Sequence, residues 1–507
     1  MTGVTGVRQG ERLKCRVEDM GNWYTATVLV FLIALTPWSS MLEGFNQNNL
    51  EKSEDFSSGH LKVNDILPYW ESGSAVISPE LPLSGDEVVP VIVLTDRLMT
   101  LHEWQIANEI LPKQIEHESQ ILIPAPPTQG ILEHRLMTIS GAQIAKLPGV
   151  PGVRAVIPDL DIPSPAGYSF TAEPASVKSG EIHGATDVWD SGRNGTGIIV
   201  AVADSGVDFA HPDLNGTQAR YDNASSPYHE WPLMHDPVSI LEWLRDGEAY
   251  PDSDGSWWAD TSETDSDSDN DSVLDNTSLS ISGIPQSISG IYHIGFHPDS
   301  KLISRAGGDV RVLVVDEVTF GVYDTVYVDL DRDSSFSDEV PMRRGSETAG
   351  LDLNGDGLWD RSAGMIWWIS DGVNGVPYGD VYAARNGYQN RIADSGDLVL
   401  FMINDVNEGG GNHGTLCASA INAQGIANSG SVLGMAPGSK TTAVANLYSY
   451  GSWFDSYRFI AEGYDGNAST EEQPHIGSFS FGYSGTHDDG ADANSLYLDW
   501  LTRVHSP

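Results

Sequence analysis

Cysteine is almost missing from this 507-residue chain: Cys15 and Cys417 are the only two, which excludes a disulfide framework. Cys417 reads as a small apolar core residue, with a catalytic thiol as the minor alternative. Basic residues are also scarce, 27 against 71 acidic ones, for a net charge of −44. So acidic a surface repels phosphate backbones and excludes nucleic acid as a partner. It suits a protein that stays soluble in salt or loads its loops with divalent cations. Long apolar runs are lacking as well. Ala26–Leu35, about ten residues behind Arg8, Arg12, Lys14 and Arg16, has the length of a signal-peptide core and is short for a spanning helix. What is present is a large core inventory. Hydrophobic residues make up 40%, with 14 Trp, 18 Tyr and 13 Phe, so disorder throughout is excluded.

The order along the chain predicts several parts. Residues 1–42 are a signal peptide or an uncleaved signal anchor, and both alternatives stay open because no clean cleavage site follows. Export, to the medium or to the cell surface with the apolar segment as membrane anchor, follows from either. Residues 43–86 are polar with scattered proline and read as a linker. A small α+β domain is expected over 87–165. Val88–Thr95 is strand-like, Leu98–Glu116 has helical spacing and Gln120–Pro124 is strand-like. Leu136–Ile139, Ala142–Leu147 and Val153–Asp159 complete a βαββαβ-like order. Pro- and Gly-rich Ile162–Gly167 reads as an exposed joint open to processing.

The main domain is expected over 182–507. Ile198–Ala203 is a continuous apolar run without alternation, as in a parallel strand buried on both faces. Asp204 ends it, at the strand end where ligands bind in open α/β sheets. His413 follows a glycine loop, Gly409–Gly411, and opens the small-residue helix Gly414–Ile421. A histidine at a helix N-terminus has its cation disfavoured by the dipole, so a carboxylate partner restores its basicity. Asp204 is the candidate: it would accept the Nδ1 proton, fix the tautomer and support the imidazolium.

Asp204-Ser-Gly-Val-Asp208, His211-Pro-Asp-Leu214, His413-Gly-Thr415 and Gly434-Met-Ala-Pro-Gly438 stand in an order that resembles the subtilisin-like serine peptidases. Ile476–Gly482 is similar to the family's next element, a strand that lines the substrate cleft. The resemblance implies an α/β fold, a parallel sheet flanked by helices. It implies polypeptide substrates cut by an Asp/His/Ser triad, with Asp204 as orienting carboxylate and His413 as general acid/base. Ser480, Phe481 and Gly482 would pair with the substrate backbone as an added strand. By the same resemblance the 87–165 domain is an inhibitory propeptide acting within the molecule.

Two departures stand out. The first is length: 209 positions separate Asp204 from His413, which places an insertion at about 220–400. Asp252–Asn276, with nine acids, reads as a solvated loop. Asp329, Asp331 and Asp333, then Asp352, Asn354, Asp356 and Asp360, put oxygen ligands on alternate positions of tight turns, the shell Ca²⁺ requires. Neither loop has a glutamate at position 12. Val310–Val315, Thr325–Val328 and Met365–Ile369 look like strands. The insertion is therefore expected to be β-rich with calcium-clipped turns, acidic turns without metal being the alternative. The second departure is that no Gly-Thr-Ser-x-Ala segment follows the cleft strand. The chain thus reads as the N-terminal piece of a serine endopeptidase, incomplete in its catalytic domain and inactive as it stands. A catalytically dead, calcium-dependent binding module at the cell surface is the competing function.

Overall fold

Among the described residues, period-two and continuous apolar runs form four sheets of four strands. The computed structural model describes residues 29–32, 75–78, 81–97, 99, 133–159, 180, 183–247, 257–386, 388–403, 413–427, 432–445, 452–466, 473–480, 497–498 and 501. The expected helix at 98–116, the strand at 120–124, the joint at 162–167 and the glycine loop at 409–411 lie outside the described residues. So does most of the N-terminal segment. Within it β1 (Leu29–Leu32) is a strand, antiparallel to Ile476–Phe479. Among the described residues no helix is long and apolar enough to cross a membrane.

The first complete sheet comprises β2 (Val76–Ile77), β3 (Val88–Thr95), β4 (Glu133–Ser140) and β5 (Val153–Pro158), in the order β2-β5-β3-β4. β2 falls in the stretch read as linker and pairs parallel with β5. Alternation explains why β3 is apolar throughout. Val91 and Val93 face a small core with Met137, Ile139 and Val156, while Ile92 and Leu94 join the main core with Ala155 and Ile157. A short helix, α1 (Gly141–Ile144), follows β4 and starts on a capping box between Ser140 and Gln143.

The main body begins at α2 (Ala185–Asp190) and β6 (Ile199–Ala203), whose last four residues are buried. Residues past β6 do not leave the sheet at once. Ala219 N–H donates to Thr441 and His235 N–H to Ala443, along the outer edge of the strand Lys440–Val444. The first residues of the stretch expected as an insertion, about 220–400, thus edge this sheet. α3 (Pro237–Asp246) follows, N-capped by Asp236 and ended by Gly247 at φ 66°. Ten further elements follow: β7 (Trp258–Asp260), β8 (Glu263–Ser266), β9 (Ile291–Phe296), α4 (Ser300–Ala306), β10 (Arg311–Val315), β11 (Thr325–Val328), β12 (Thr348–Leu351), β13 (Arg361–Ile369), α5 (Gly379–Asn386) and β14 (Leu398–Met402). They form two antiparallel sheets, β11-β10-β9-β8 and β12-β13-β14-β7.

Part of the acid-rich stretch read as a solvated loop is thus strand, and Asp275 ties its turn by accepting from Ser266 and Ser268. The insertion is not an appendage. Trp257, Trp367, Trp368 and Phe401 are buried in one continuous core with Ala201, Val202 and Ala203. The chain then returns through α6 (His413–Asn422), β15 (Lys440–Val444), α7 (Ser452–Glu462) and β16 (Ile476–Phe479). β15 and β16 flank β6 in parallel, and Val444 and Phe479 both stand level with Ala203. The result is a mixed α/β protein with a parallel sheet at its centre. The first sheet meets α7 through buried charges: Glu133 accepts from Arg458 at 3.2 Å, and His134 Nε2 lies 3.0 Å from Asp455.

Candidate active site

Three strands ending at one level give the site its floor. Asp204, one residue past β6, is held by its own N–H donating to Val444 and is 1% exposed. Gly206 turns the chain at φ 114°, and a side chain there would collide with the Ile403 carbonyl and the Trp257 ring. Gly414 comes so close to the Gly206 carbonyl that no β-carbon fits between them. These two glycines let the first turn of α6 press against the end of β6.

Across that contact His413 Nδ1 lies 2.8 Å from Asp204 Oδ1 and 2.9 Å from Oδ2. Asp204 Oδ1 also accepts from Ser205 N–H at 2.8 Å, and Ser205 Oγ accepts from Gly414 N–H at 3.0 Å. Burial works against the imidazolium, but the Asp204 carboxylate outweighs it, helped by Cys417, and His413 is pushed up to about 10. Nδ1 is committed to the carboxylate, so Nε2 is the nitrogen left for proton transfer. Cys417 Sγ stands 3.9 Å from Nδ1. It lies on the side of the ring that Asp204 occupies, the wrong side for a nucleophile.

Neighbouring contacts brace the pair. Asp208 N–H donates to Thr415 Oγ1 at 3.0 Å, clipping the turn after Asp204 to α6. Ser362 of β13 donates to Asp208 Oδ1 at 2.8 Å, so the insertion itself reaches the site. Burial raises the Asp208 carboxyl above the ordinary aspartate range, against the pull of that bond. Sequence reasoning missed Ser362 because no local signal marks a residue that acts across a fold. Ser480 follows β16 level with Asp204, and Phe481 and Gly482 lie outside the described residues. In the 434–438 segment, Met435 and Gly438 anchor the chain before β6 through Trp189 Nε1 and the Asn194 carbonyl.

The two predicted metal loops part company. Carboxylate oxygens of Asp329, Asp331 and Glu339 lie within 4.8 Å of one another. Asp333 stays outside that group, its Oδ1 accepting from Ser335 N–H. Asp352 is half-buried, Asp356 and Asp360 are exposed, and the three are not gathered. Asp352 accepts from Gly355 and Gly357, Asn354 from Asp356, and Asp360 from Leu353 and Asn354.

Residues 195–504 match the subtilase family, peptidase S8. The chain belongs to that family. Among characterised relatives, a segment is 28% identical to pyrolysin of Pyrococcus furiosus over 185 residues, 31% of this chain and 12% of that protein. Another is 34% identical to the minor extracellular protease Vpr of Bacillus subtilis over 92 residues, 17% of this chain and 11% of the relative. The matches thus span about a tenth of each relative's length. No solved structure matches the chain significantly. Membership in the subtilase family marks residues 195–504 as a domain of serine-peptidase type.

Proposed function

We propose that this subtilase chain carries the acid–base half of an exported serine endopeptidase. The observation that supports it most is the Asp204–His413 pair: a buried carboxylate gripping Nδ1 and leaving Nε2 for catalysis. A serine hydroxyl facing Nε2 completes the relay. Its proton moves to Nε2 as Oγ attacks the substrate carbonyl carbon. The C–N bond then breaks, and the imidazolium returns that proton to the leaving amine. Asp204 stays ionised throughout and stabilises the charged ring. Among the described residues no serine hydrogen-bonds to His413, so the nucleophile is not assigned to any of them. Ser480 to Gly482 would receive the substrate as an extra strand, since β16 ends level with Asp204.

The first sheet is the inhibitory, propeptide-like unit on this reading. Its docking on α7 through Glu133–Arg458 and His134–Asp455 favours a tight intramolecular partner. The apolar segment around β1 would direct export. In protein that carries the serine, His413→Ala should lower peptide hydrolysis by roughly 10⁴-fold or more, read as kcat/KM on a peptide substrate. Rates near wild type would remove the pair from the mechanism.

A further inference from the structure

We infer that the connection between β11 and β12 holds a divalent cation of calcium type, ligated by the carboxylates of Asp329, Asp331 and Glu339. Clustered acids on so acidic a chain mean little by themselves. Asp329 is different, because it is 2% exposed. Its Oδ2 accepts from Ser334 N–H at 3.2 Å, and its Oδ1 is buried with no hydrogen-bond partner. An orphaned carboxylate oxygen is costly to bury, and a cation at the cluster removes that cost.

No side chain among the described residues does so. Among the described residues no lysine, arginine or histidine forms an ion pair with Asp329, Asp331 or Glu339. Arg332 directly follows Asp331 and turns away at φ 64°, giving its guanidinium to the Asp309 and Ala306 carbonyls. Arg361 spends Nη1 on the Leu330 carbonyl at 2.7 Å. Glu339 is brought in deliberately: its Oε1 accepts from Leu330 N–H at 2.8 Å, folding the later part of the loop over the earlier. Three carboxylates with no nitrogen or sulfur among them select a hard cation. An irregular loop that leaves room for backbone carbonyls and water suits calcium better than the strict octahedron of magnesium. Relative to the sequence expectation, Glu339 enters the site and Asp333 leaves it.

The test needs no peptidase activity, so its outcome is separate from that of the proposed function. The whole chain, stripped with chelator, is titrated with Ca²⁺ by calorimetry and melted with and without the metal. Stoichiometric binding and a Tm that rises to saturation with Ca²⁺ are expected. Asp329→Asn and Glu339→Gln should each weaken binding by roughly 100-fold and remove the rise in Tm. The pair Asp352→Asn with Asp356→Asn should leave both unchanged. Should Asp329→Asn fail to fold, Asp331→Asn and Glu339→Gln, at less buried positions, carry the same readout. Absence of binding, or binding unaltered in these variants, overturns the inference, as does loss of binding only in the 352/356 variant.

Discussion

Asp204 and Asp329 occupy the same local position in two different parts of the molecule. Each follows the last residue of a buried strand, β6 in the parallel sheet and β11 in the insertion. Each is almost wholly removed from water, at 1% and 2% exposure. They differ in what answers the charge. Asp204 has the His413 ring against both oxygens, whereas Asp329 keeps one oxygen with no partner. A buried carboxylate is tolerated only when something compensates it, so the identity of the compensator separates a proton relay from a cation site. The strand-end aspartate alone tells neither.

The largest expected effect is on the Asp204 side. In serine-carrying protein, Asp204→Asn should lower kcat by about 10⁴-fold, because the amide cannot hold the ring in the working tautomer. The same change should lower the His413 pKa from about 10, because burial then works against the imidazolium without the carboxylate to outweigh it. The folded state raises this pKa. The pair's contribution to stability is therefore full below the ordinary imidazole value and is lost as pH rises through about 10. The unprotonated base, in turn, makes hydrolysis climb toward alkaline pH. Proton NMR of the His413 ring checks both halves, and a wild-type ring titrating at the ordinary value would break the comparison at its stronger end.

Next in size is a difference of sign. In chelator, Asp329→Asn should raise stability by about 1–3 kcal/mol, since it removes a buried charge left without a partner. Asp204→Asn should lower stability, since it strips the partner from His413. Denaturant melts of the two variants under identical metal-free conditions decide this. If both lose stability, Asp329 is compensated by something within the protein and the contrast collapses.

The two sides were not equally legible in the sequence. β6 ending in Asp204 and α6 opening on His413 were readable because short-range signals mark them. These are an unbroken apolar run, glycines at the turns, and small residues where helix meets sheet. The strands β3, β10, β11 and β13 were readable for the same reason. Glu339 was not, because a ligand that arrives from position 11 of a loop depends on how the chain folds back. Pattern matching looks at position 12. Asp352–Asp360 matches the spacing of Asp329–Asp333, and in both loops carboxylates accept from the loop's own amides. Asp252–Asn276 looked like a solvated loop because charge hides strands whose partners are distant in sequence. β8 pairs with β9 from Ile291 onward.

The smallest expected effect concerns whether the two aspartates sit in one cooperative unit. Arg361 holds the Leu330 carbonyl within the acidic loop, and the next residue, Ser362, holds Asp208 beside α6. Removing the hydroxyl in Ser362→Ala should cost about 1 kcal/mol, the usual net value of one such bond. Asp208 then loses a donor that partly offsets its burial, so its carboxyl should rise further. The informative quantity is the coupling with Thr415→Val, which removes the acceptor on the other side of Asp208. A double-mutant cycle giving more than about 0.5 kcal/mol of interaction would mean that insertion and helix are energetically joined through Asp208. Strict additivity would instead make the insertion a neighbour of the relay, with the chemistry at Asp204 independent of whatever occupies Asp329.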